Sequence, residues 1–155
     1  MQVRELMRAE PRSCRPGDTL ASAGRLMAEV GCGFLPVISE KGDVIGVVTD
    51  RDICCGLTTR DVLPSAVHVR DVMSQEVFSS FEEDDLSNAL HTMRSGRVRR
   101  LPVVDSDWNL RGVLSLDDVV LAARSEEDKA YTGPKYEDVA RTLQAINDHP
   151  TLAIF

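Results

Sequence analysis

The chain is poor in features that would tie it to a bilayer, a polyanion or a metal. No apolar run in its 155 residues approaches the roughly 18 needed to cross a membrane. The N-terminus carries Arg4, Glu5 and Arg8 where a secretory leader would be apolar, so a cytoplasmic protein without a leader is expected. Basic charge is in deficit: the formal net charge is −7, which argues against nucleic acid and against an anionic membrane surface as partners. The cysteines, Cys14, Cys32, Cys54 and Cys55, have no C-x-x-C spacing, so neither a zinc site nor a disulfide framework is legible. Adjacent Cys54 and Cys55 read as small buried apolar residues, with a redox-reactive thiol as the sharper alternative. His68, His91 and His149 are scattered, and no serine or cysteine sits in a nucleophile motif. Gly31-Cys32-Gly33-Phe34-Leu35-Pro36 breaks the dinucleotide fingerprint at its last position. Paired carboxylates such as Glu82-Glu83 and Asp84-Asp85 precede a helix and need no acid/base role. No enzyme is expected.

What is present is an internal repeat. Val3 to Ile53 lies over Val69 to Val119 without a gap at an offset of 66 residues. Identities fall at 15 of 51 positions, among them Val3/Val69, Met7/Met73, Leu35/Leu101, Pro36/Pro102, Gly46/Gly112 and Asp52/Asp118. Ordinary composition gives about 3 by chance. The period exceeds that of common solenoids, so two copies should close one globular module around a pseudo-two-fold axis. A unit of about 60 residues is marginal alone, and a shared core is expected.

Each copy shows the same order of signals. A short extended piece near Ser13 or Ser79 is followed by capping acceptors, Gly17-Asp18-Thr19 or Glu83-Asp84-Asp85. Apolar stripes then mark helices, through Leu20, Ala23, Met27 and Val30, and through Leu86, Ala89, Leu90 and Met93. Phe34 to Ile38 and Leu101 to Val104 read as strands, each turning through polar residues into a second strand, Val44 to Val48 or Leu110 to Leu114. Second helices start near Asp50-Arg51-Asp52 and Leu116-Asp117-Asp118. The fold class is therefore α+β, two β-α-β-β-α units, with a short C-terminal helix.

That order resembles the cystathionine-β-synthase (CBS) domain, together with Gly-Val-Val-Thr-Asp-Arg-Asp at 46 to 52, Gly-Val-Leu-Ser-Leu-Asp-Asp at 112 to 118 and the Leu-Pro-Val strings before them. The resemblance covers about residues 3 to 123: repeat one is assigned to 1–62, repeat two to 63–124, and 125–155 to a polar connector and final helix. Two such units in tandem resemble the Bateman module, which implies adenosine-containing ligands in the cleft between the units. AMP or ATP leads, with NAD or S-adenosylmethionine behind, and no cofactor is required. The resemblance also implies a homodimer, a regulated protein target not named by the sequence, and site residues Thr49, Asp52, Ser115 and Asp118. The alternative is a ligand-independent dimerisation and assembly module.

The residue types suit that chemistry. A carboxylate accepts hydrogen bonds from both vicinal hydroxyls of a ribose, a role for Asp52 and Asp118. Thr49 and Ser115 stand at the strand-to-helix switch, where backbone N–H groups favour an anion, and Gly46 and Gly112 permit close backbone approach. Equally, Thr49 and Ser115 can cap helices that the aspartates complement. Charge differs between the copies: Arg51 aligns with Asp117, and Gly33-Phe34 with Arg99-Arg100. Arg51, Arg99 and Arg100 are the candidate phosphate contacts, and the Thr49/Asp52 site should fill first. No output domain follows in the sequence, so a free-standing sensor is expected. Tyr136, Val139, Ala140, Leu143 and Ile146 should form one face of the last helix, packing either on their own module or on a partner.

Overall fold

The protein is described from a computed structural model, which describes residues 1–125, 127 and 130–148. Within the 125–155 segment, Glu126, Asp128 and Lys129 of the connector and residues 149–155 after the last helix lie outside the described residues.

The expected helices and hairpin strands form, whereas the extended piece expected near Ser13 is a single bridge at Cys14 and Arg8–Ala9 forms a strand that was not expected. Repeat one contains β1 (Arg8–Ala9), α1 (Leu20–Val30), β2 (Phe34–Ile38), β3 (Val44–Thr49) and α2 (Asp50–Thr58). Repeat two contains β4 (Ser80–Phe81), α3 (Leu86–Gly96), β5 (Arg100–Val104), β6 (Leu110–Ser115) and α4 (Leu116–Ala122), followed by α5 (Tyr136–Asn147). Strands β2 and β3 pair antiparallel, with Leu35 opposite Val48 and Val37 opposite Gly46, and Cys14 adds a single parallel bridge to Val37. The second sheet has the order β1-β6-β5-β4. Helix α1 buries Leu20, Ala23 and Met27, but Val30 is exposed at its end, where Gly31 leaves the helix at φ 64°. Helix α3 buries all four residues of its predicted stripe.

The chain divides into two compact units that do not follow the repeat boundaries. One joins Met1–Ala9 to Phe78–Val103 and the chain from Gly112 onward; it holds α3, α4 and α5. The other joins Glu10–Val77 to Val104–Arg111 and holds α1 and α2. Each therefore recruits the leading segment of the other repeat. Val3 is fully buried among Leu86, Met93, Leu101 and Val119, and Val69 is fully buried among Leu20, Leu35, Val37 and Val48. The expected shared core is thus corrected to two clusters, one per unit, because the recruited segment gives each unit an apolar interior of its own.

Gly46 and Gly112 show how the segments dock. A Cβ on Gly46 would lie 2.9 Å from the Ser74 carbonyl oxygen, and one on Gly112 would lie 3.0 Å from that of Arg8. Their close approach serves this chain's own backbone: Ser74 exchanges hydrogen bonds with Val47, and Arg8 stands opposite Val113.

Helix α5 packs on α3 and α4 within its own unit, one of the two placements expected for it. Its buried face is Val139, Thr142 and Ile146 with Leu143 half-buried, whereas Tyr136 and Ala140 are exposed. Thr142 tolerates full burial because its hydroxyl donates to the Asp138 carbonyl (2.7 Å) and accepts from Arg94 (3.1 Å). Tyr131 secures the entry to the helix, donating to the Ala122 carbonyl at 2.6 Å beneath the Arg124 guanidinium. No helix among the described residues is long and apolar enough to cross a membrane.

Candidate functional site

In the α1/α2 unit, the Asp52 carboxylate stands at the first turn of α2. Thr49 ends β3 in extended conformation (φ −116°), and its hydroxyl accepts from the Asp52 backbone N–H. Asp52 replies with Oδ2, which accepts from the Thr49 backbone N–H at 2.8 Å and the Thr49 hydroxyl at 2.7 Å. This is a reciprocal capping box. It fixes the carboxylate while leaving Oδ1 with no partner among the described residues. Arg51 is exposed on the same turn, and its guanidinium likewise has no partner among the described residues. An open cavity of about 340 Å³ beside this turn is lined by Met27, Gly31, Cys32, Gly33, Asp50 and Ile53; Thr49 and Asp52 do not line it. The Asp50 carboxylate lies over Gly33, in space that a Cβ there would enter, and being exposed it can swing away.

The α3/α4 unit repeats the box with one addition. Asp118 Oδ2 accepts from the Ser115 backbone N–H (3.0 Å) and from the Ser115 hydroxyl, which in turn accepts from the Asp118 N–H. Oδ1 accepts from Arg8 Nε at 3.0 Å. Burial pushes the Asp118 carboxyl up, but the Ser115 hydrogen bonds and the Arg8 guanidinium outweigh it and hold the group below the usual carboxylate range. Arg100 stands 3.9 Å from Asp117, so the carboxylate that replaces Arg51 is partnered by a cation of its own unit. Arg99 donates to Asn147 Oδ1 at 2.9 Å, tying β5 to the end of α5.

The capping reading and the ribose reading of Thr49, Asp52, Ser115 and Asp118 thus fall on the same side chains: the box that caps the helix also orients the carboxylate. Arg8 and Asn147 are site neighbours that the motif reading overlooked. For Arg8 the signal was available, because Met7 aligns with Met73 but the next pair is Arg8 and Ser74. For Asn147 nothing in the local sequence pointed to Arg99. Cys54 and Cys55 correct an expectation: both are exposed on α2, as are Val120 and Leu121 at the aligned positions of α4, because the buried residue of α2 is Gly56, close against Val72.

The CBS domain model matches residues 3–57 and 69–125, covering both repeats and both boxes. This chain belongs to the CBS domain family. The CBS domain-containing protein YhcV of Bacillus subtilis (strain 168) is 34% identical over 125 residues, which span 81% of this chain and 87% of that protein. CBSX2 of Arabidopsis thaliana, solved in complex with AMP, is 27% identical with a TM-score of 0.68, covering 78% of this chain and 94% of that one. The CBS domain pair of protein MJ0100, solved with 5′-methylthioadenosine and S-adenosyl-L-methionine, has a TM-score of 0.72 over 79% of this chain and 94% of that one. At 18% identity it speaks for the fold alone. This CBS domain protein is therefore a tandem pair, with one Thr/Ser–Asp box in each matched stretch.

Proposed function

We propose that this CBS pair is a regulatory module that binds an adenosine-containing ligand, AMP or ATP first, and passes its occupancy on to a protein partner. The observation that carries the reading is the Asp52 carboxylate, held through Oδ2 by Thr49 with Oδ1 left to accept. A fixed carboxylate oxygen of this kind suits ribose hydroxyls, and the neighbouring Arg51 offers a planar cation for phosphate. The likeness to an AMP-bound CBS protein supports the same ligand class. In the α3/α4 unit, Ser115 and Asp118 form the corresponding set, with Arg99 and Arg100 as its cations. The reading assigns the chain no reaction and requires no cofactor.

The test is a thermal-shift panel of AMP, ADP, ATP, NAD and S-adenosylmethionine. A ligand at 100 times its Kd that binds the folded state stabilises it by about 2.7 kcal/mol. At about 2–4 °C per kcal/mol, melting should rise by about 5–10 °C with at least one member. Equal melting across the panel at millimolar ligand would overturn the reading in favour of an assembly module. Self-association belongs to either reading, because α4 leaves Leu121 82% and Val120 42% exposed on a helix too short to bury them itself. A homodimer is the proposed state.

A further inference from the structure

The two boxes differ in how many acceptor positions remain on the carboxylate, and one residue makes the difference. A carboxylate offers about four lone-pair positions, two per oxygen. On Asp52, Thr49 fills those of Oδ2 through its N–H and its hydroxyl, and both positions of Oδ1 remain. On Asp118, Ser115 fills Oδ2 in the same way, and Arg8 Nε takes one position of Oδ1. A vicinal diol brings two donors, so Asp52 can accept both while Asp118 can accept both only if Arg8 leaves. The Arg8 side chain can leave: it is 72% exposed, whereas that of Asp118 is 11% exposed. Its backbone is anchored by strand pairing opposite Val113, which keeps the guanidinium beside the carboxylate. In the α1/α2 unit the equivalent bridge joins Val47 to Ser74, whose short hydroxyl bonds instead to the Glu76 carbonyl.

We propose that Arg8 is an internal competitor for the Asp118 carboxylate, closing the diol site of the α3/α4 unit, so that the resting protein binds one adenosine nucleotide per chain, at Asp52. The inference rests on the reading that these carboxylates take ribose hydroxyls. It makes Arg8 a gate whose displacement adds a second site, and it explains unequal sites without appeal to Asp117, which Arg100 already partners.

Calorimetry with AMP tests it on the full chain. Wild type should bind one AMP per chain, Asp52→Ala none, Arg8→Ser two, and Arg8→Ser with Asp52→Ala one. The site gained in Arg8→Ser should reject 2′-deoxy-AMP, which lacks one of the two hydroxyls, by at least tenfold. Removing a cation near a phosphate would by itself weaken AMP, so a gained site cannot be a phosphate effect. Arg8→Met is the second variant: it keeps a long side chain but no donor for Oδ1, should fold as wild type does, and should also admit the second AMP. If wild type binds one AMP but both Arg8 variants stay at one, the gate is refuted and the ribose reading survives. A wild type that binds two AMP also refutes the gate. If no protein in the series binds AMP, the gate and the ribose reading fall together.

Discussion

Asp118→Asn and Asp52→Asn should destabilise the protein unequally, although each aspartate closes the same kind of capping box. Asp52 accepts from the backbone and hydroxyl of Thr49; Asp118 accepts from the same groups of Ser115 and from Arg8 as well. Loss of a cap costs about 0.5–2 kcal/mol, and asparagine, which keeps one carbonyl oxygen, should lose the smaller part of it in both variants. The Arg8 pair adds about 0.2–1 kcal/mol to Asp118 alone, at the screened end because Arg8 is 72% exposed. At about 2–4 °C per kcal/mol, Asp118→Asn should melt about 1 °C below Asp52→Asn at neutral pH.

The difference carries a pH signature. The folded Asp118 carboxyl lies below its ordinary value, because the Ser115 and Arg8 contacts outweigh the upward push of burial. Its contribution is therefore fully present above the unfolded value near 3.9 and is lost as pH falls through the folded value. Differential scanning calorimetry of wild type and both variants, stepped from about pH 7 to about pH 3, should show the wild type losing its advantage over Asp118→Asn in that window. Raising salt to about 1 M should shrink the Arg8 part at neutral pH. A gap between Asp118→Asn and wild type that is constant across the pH range, or an Asp52→Asn variant that is the less stable of the two, would refute the reasoning.

The thiols should label in the order of their exposure: Cys54 and Cys55 at once with a maleimide or disulfide reagent, Cys32 slowly, and Cys14 only on unfolding. Burial, with the nearby Asp18 carboxylate, pushes the Cys14 thiol up to about 12, so rapid native-state labelling of Cys14, read by peptide mass mapping, would contradict the packing. Light scattering at tens of micromolar should give a dimer mass that Leu121→Arg lowers to the monomer, because Leu121 is 82% exposed and contributes little to its own unit. A monomeric wild type, or a dimer indifferent to Leu121→Arg, would remove the α4 face from the interface.

What the sequence determined by itself is what a few neighbouring residues settle. The stripes of α1 and α3, the hairpin strands and both capping boxes are local patterns, because helix period, strand alternation and an N3 carboxylate facing its cap all act within one or two turns. The 66-residue offset showed that the pattern occurs twice and carried the family resemblance. Tertiary structure alone decided which segments share a core. Val3 and Val69 are identical in the repeat and equally apolar, and nothing local says that each is buried among helices and strands of the other repeat. The same holds for α5, whose apolar residues defined a helix but not that Thr142 would be fully buried while Tyr136 stayed outside; Arg94, 48 residues earlier, supplies the hydrogen bond that makes that burial tolerable. It holds most of all for Arg8, which reaches Asp118 across 110 residues. The repeat could mark Arg8 as different from Ser74, but the partner of a long charged side chain is chosen by which backbone lies beside it, and β1 acquires that neighbour only by pairing with β6.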